Sequence, residues 1–161
     1  MRQAASRGWV IAATFLVALM LTAMPLPQWA VPWRPAWVAM VLIYWCLALP
    51  ELIGVVVAWC MGLLVDALLS APLGQNALAL TVIAFITVGN HQRIRVFPLG
   101  QQALIVGLLV FAYLALTFLI RTWTGQNPDP VRHWLAAVSS MVLWPWLFII
   151  LRDVRRRGQL K

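Results

Sequence analysis

The chain has 161 residues, of which 63% are apolar and only 10% charged, with a net charge of +8. Soluble domains carry about 25% charged residues, so this composition excludes a soluble globular fold and marks a membrane protein. The arginines sit at the ends of apolar runs, with no basic face interleaved with recognition aromatics, which excludes a nucleic-acid-binding module.

In chain order, six apolar runs stand out, at 9–24, 36–49, 52–70, 73–89, 102–120 and 134–151. The start, MRQAASRGWVIAATFLVALML, has the basic head and apolar stretch of a signal peptide. Thr22-Ala23-Met24 imitates a cleavage site poorly, however, and more apolar segments follow, so 9–24 is read as a first span. Residues 36–70 would make one helix about 52 Å long, too long for a single tilted crossing, so two helices share them and turn near Pro50. The run at 73–89 could cross or re-enter. Charge decides: with six spans and both termini cytoplasmic, nine basic residues fall inside and Arg34, Arg121 and Arg132 outside. Omitting the fourth span leaves four inside and eight outside, against the positive-inside rule. The expectation is therefore an all-α polytopic protein, residues 1–161 forming one membrane domain with a basic cytoplasmic tail at 152–161. No segment outside the bilayer is long enough for a soluble domain.

Asp66, in GLLVDALLSAPLGQNAL, is the residue that most needs explanation. A charge at a helix centre costs about 2.5 to 3.5 kcal/mol, less toward an interface, so it should have a partner. Below it at four-residue spacing lie Gly62, Ala58 and Gly54, a small-residue stripe that would let another helix approach. Its own helix ends soon after, where the dipole disfavours an anion. Arg34, followed by Pro35 at an expected first helical position, is the favoured partner, with Asn76, an outer-loop arginine or bound water as rivals. Pro72 and Gly74 mark a turn, after which Asn76 could cap the next helix. Pro145 should kink the last span.

Catalytic signatures are missing. His91 and His133 are expected in loops on opposite faces, with no HExxH, GxSxG or paired intramembrane carboxylates, so no catalytic residue is assigned. Cys46 and Cys60 lie within apolar runs without a CxxC, and no metal or cofactor site is read from them.

Four stretches together resemble the MreD family of rod-shape proteins: RPAWVAMVLIYWCLALP at 34–50, MGLLVDALLSAPLGQNALAL at 61–80, FPLGQQALIV at 97–106 and LWPWLFIILRDVRR at 143–156. The resemblance spans nearly the whole chain, and departs from it at Ala71, where many relatives carry glycine. It implies a bacterial inner-membrane protein that works with MreC, and more widely with MreB, RodA and a class B penicillin-binding protein, in lateral peptidoglycan synthesis. It also implies a six-helix fold shared with the substrate-binding subunits of energy-coupling-factor transporters. A noncatalytic scaffold is the favoured function on these grounds, and a small-solute-binding transporter subunit the alternative.

Overall fold

A computed structural model describes the backbone of residues 2–159 and the side chains of residues 7–158. Arg2 and Lys161, both counted on the basic side above, lie outside the residues whose side chains are described. Among the described residues there are six α-helices: α1 (Arg2–Ala23), α2 (Trp37–Ala48), α3 (Val55–Leu68), α4 (Gln75–Val96), α5 (Leu99–Trp123) and α6 (Pro130–Gln159). One 3-10 turn, Val31–Trp33, precedes α2. Among the described residues, three segments are long and apolar enough by length and composition to cross a bilayer: Val31–Ala48, Leu99–Trp123 and Pro130–Gly158.

The break between α2 and α3 comes at Leu49–Gly54, around the expected Pro50. At 12 and 14 residues these helices are only about 18 and 21 Å long. The stretch expected at 73–89 is instead a 22-residue helix, about 33 Å long, reaching Val96. α6 also runs past its expected end and carries the basic tail as helix to Gln159. It continues through Pro145 as a single helix.

α2 is apolar on every side, which suits a helix enclosed by others. Ten consecutive residues, Val38 to Leu47, are buried. Around it the contacts run α3 to α4, α4 to α5, α5 to α6 and α6 to α1. α1 and α3 leave between them an apolar cleft of about 730 Å³, lined by Phe15, Leu16, Leu52, Val57 and Met61 among others. Two of the ten tryptophans, Trp45 and Trp144, are core residues, and the Trp45 indole donates to Thr14 Oγ1 at 2.9 Å. Trp9, Trp29, Trp123 and Trp146 are exposed, as suits aromatic side chains at a membrane boundary.

The helices alternate in direction, so the charged ends separate. Arg34, Asp66, Asn76, Arg121 and Arg132 gather at one end, where Arg34, Asn76, Arg121 and Arg132 line a common cleft. Arg7, Arg95, Arg152 and Arg155 line clefts at the opposite end.

Candidate functional site

Asp66 is completely buried two residues before the end of α3. Its helix stops in a turn that reverses the chain within six residues. Ser70 adopts a left-handed conformation, φ 51°, and the Ala71 amide bonds back to the Asp66 carbonyl at 2.9 Å, the two features of a Schellman close. Gly74, φ 99°, then precedes α4 as its cap residue. At that angle glycine meets no β-carbon penalty.

This hairpin delivers the amides that open α4 to the carboxylate. Asp66 Oδ2 accepts from the Gly74 amide at 2.9 Å and from the Ala77 amide at 3.4 Å. Oδ1 accepts from the Asn76 amide at 2.9 Å and from the Asn76 side-chain Nδ2 at 2.8 Å. The first amides of any helix lack partners within it, and their end of the macrodipole favours an anion. Asp66 therefore caps α4 from the preceding helix, and the expected cap, Asn76, is instead a donor to Asp66. The Tyr113 hydroxyl of α5 donates to Asn76 Oδ1 at 2.5 Å, so three helices meet in one network.

The expected Arg34 to Asp66 contact is not made. Arg34 donates from Nη1 to the Thr22 carbonyl at 2.9 Å and from Nη2 to the Met24 carbonyl at 2.6 Å, holding the end of α1. Exposed carbonyls at a helix C-terminus attract a cation for the same reason that free amides at an N-terminus attract an anion. Pro35 is not at the first helical position either. It lies two residues before Trp37, and the Ala36 amide between them donates to Ser140 Oγ of α6 at 3.0 Å. Ser140 Oγ donates in turn to the Ala136 carbonyl at 2.7 Å.

The small-residue stripe does seat a helix, and that helix is α4. A β-carbon on Gly62 would lie 2.2 Å from the Ala77 Cα, and Ala58 is fully buried. Gly54 takes no part, because it precedes α3 as its cap residue and has open space where a side chain would be. Gly107 of α5 makes a looser approach to the Met141 side chain of α6, with a β-carbon 3.0 Å from Met141 Cγ.

His133, expected in a loop, belongs to the first turn of α6 and bonds α5 through Nε2, to the Leu114 carbonyl at 2.7 Å and Thr117 Oγ1 at 3.2 Å. His91 bonds locally to the Val88 carbonyl at 2.6 Å. Among the described residues no three His, Cys, Asp or Glu side chains converge as a metal site would require. The polar groups brought together at the Asp66 end are thus helix-end caps and interhelical links.

Comparison with known proteins bears on the whole chain. The family described as "MreD: rod shape-determining protein MreD" matches residues 4–154. A "Rod shape-determining protein MreD" of Haemophilus influenzae is 34% identical over 155 residues, covering 94% of this chain and 94% of the relative. No solved structure matches the chain.

Proposed function

Because the chain belongs to the MreD family of rod shape-determining proteins, we propose that it is a noncatalytic, multi-pass scaffold of the bacterial inner membrane that binds MreC and supports lateral wall synthesis. The proposal includes six spans with both termini in the cytoplasm, and a fold of the energy-coupling-factor subunit type. MreB, RodA and a class B penicillin-binding protein are its partners in the wider complex.

The observation that carries this reading is the use made of the buried acid. An intramembrane ionisable residue is by default a candidate for chemistry or transport. Here the Asp66 carboxylate has both oxygens engaged by the backbone and side chain of α4. It fixes two helices against each other, which suits a protein recognised by the faces of its helices. The excess of basic residues at the end opposite Arg34, Arg121 and Arg132 supports the cytoplasmic side assigned to it.

Affinity purification of the full chain from its own membranes, with photo-crosslinkers placed on α2, α3 and α6, tests the MreC partnership. MreC should be recovered in crosslinked form from at least one of these helices. Its absence from every position would overturn direct binding.

A further inference from the structure

We propose that the cleft at the Asp66 end binds a phosphate or diphosphate group, either free or as the headgroup of a lipid. This goes beyond the scaffold reading and shares with it only the six-span topology.

The cleft has a volume of about 330 Å³ and is lined by Arg34, Arg121, Arg132, Asn76, Tyr113 and His133 among others. Under the six-span topology, Arg34, Arg121 and Arg132 are the three outward-facing basic residues of the whole chain. Membrane proteins select against basic residues in short outer loops. Yet these three, separated by up to 98 positions in sequence, line the same cavity. They reach it from three places: the approach to α2, the last turn of α5 and the first turn of α6.

Their charge is only partly compensated. The one carboxylate among the residues lining the cleft is Asp129, which pairs with Arg132 at 3.4 Å, in a contact exposed on both sides. Asp66, behind Asn76, has both oxygens engaged by neutral donors of the α4 start and keeps its charge. Arg121 has no acidic partner among the described residues, and Arg34 Nε is buried with no hydrogen-bond partner. Three guanidiniums against the carboxylates of Asp129 and Asp66 leave a net positive charge at this end. A phosphate group answers that charge, and the planar guanidinium donors of Arg121 and Arg132 suit its oxygens in bidentate contacts, while Arg34, held by the Thr22 and Met24 carbonyls, adds its charge. Leu69, Leu114 and Ala136 also line the cleft, giving it an apolar flank suited to a ligand that enters from a membrane surface.

The test uses the full chain in nanodiscs of phosphatidylcholine, which leave both faces accessible, so that the result does not depend on topology. One arm measures equilibrium binding of labelled inorganic pyrophosphate. The other measures retention of phosphatidic acid, doped into the discs, by native mass spectrometry. Binding in at least one arm is expected, about tenfold weaker in Arg121→Gln and in Arg132→Gln, since each removes charge-assisted hydrogen bonds. Arg93→Gln, at the other end, should leave it unchanged. Asp129→Asn, which frees Arg132, should tighten it, a gain that misfolding cannot imitate. Pyrophosphate binding with this pattern identifies a free anion as sufficient, and phosphatidic acid retention alone identifies a lipid headgroup. No binding in either arm, or binding indifferent to Arg121, Arg132 and Asp129, or lost equally in Arg93→Gln, overturns the proposal.

Discussion

Gly62 and Ala77 bring α3 and α4 into backbone contact: a β-carbon at Gly62 would lie 2.2 Å from the Ala77 Cα and 2.5 Å from its nitrogen. The obstacle is backbone, so no side-chain rearrangement can relieve it. Gly62→Ala should therefore destabilise the protein by about 3 kcal/mol or more, at the upper end of the cost of overpacking. Gly89, in α4, has open space around it, and Gly89→Ala should stabilise by about 0.5 to 1 kcal/mol. Unfolding midpoints of the purified variants in one detergent compare the two. Equal effects would mean that α3 and α4 are not in close contact.

Asp66 and Arg34 each hold a helix end, but not each other. Asp66→Ala strands buried donors on Gly74 and Asn76 and should cost about 3 kcal/mol, combining a lost cap with unsatisfied amides. Asp66→Asn retains an acceptor and should cost less. Arg34→Ala loosens the end of α1 independently, so the double variant should equal the sum of the singles within about 0.5 kcal/mol. A larger coupling in the double-mutant cycle would restore the direct pairing that the structure lacks.

Ser70 occupies a left-handed position, φ 51°, that glycine fills at lower cost. Ser70→Gly should raise stability by about 1 kcal/mol, because a β-carbon there crowds the following carbonyl. Loss of stability in the same unfolding assay would argue against the Schellman close of α3.

Gln75 is buried, and neither its amide nitrogen nor its amide oxygen finds a hydrogen-bond partner among the described residues. Replacement of an unsatisfied polar side chain by an apolar one of similar shape is neutral or stabilising. Gln75→Leu should thus hold or raise the unfolding midpoint, whereas a marked drop would reveal that the amide has a partner in the membrane.

The helices were legible in the sequence because apolar runs and prolines mark them, including the break near Pro50 that divides α2 from α3. The bounds were less so: α4 was read seven residues short at its end, since His91, Arg93 and Arg95 lower its apolarity without ending the helix. The partner of Asp66 was misread for a specific physical reason. The C-terminus of its own helix is unfavourable to an anion, which points away from the helix ends as partners. The tight turn over Ser70 to Gly74 folds α4 back alongside α3, and so sets that helix's favourable N-terminus against the acid. Asn76, among the rivals considered, is in the network. Arg34 was likewise matched to a distant acid, although the end of α1 lies ten to twelve residues before it and presents free carbonyls. The placing of His133 on α6 was open to the sequence, since Asp129-Pro130 is a cap residue followed by proline at the first helical position, and Asp129 accepts from the Val131 amide at 3.1 Å; its bonds to α5 carried no such signal.

Cell shape tests the scaffold assignment most directly. Clean removal of the chain from its own host, followed by measurement of cell length and width, should give rounded cells, and re-expression of the wild-type chain should restore rods. Cells that keep the same length-to-width ratio without it would contradict the assignment.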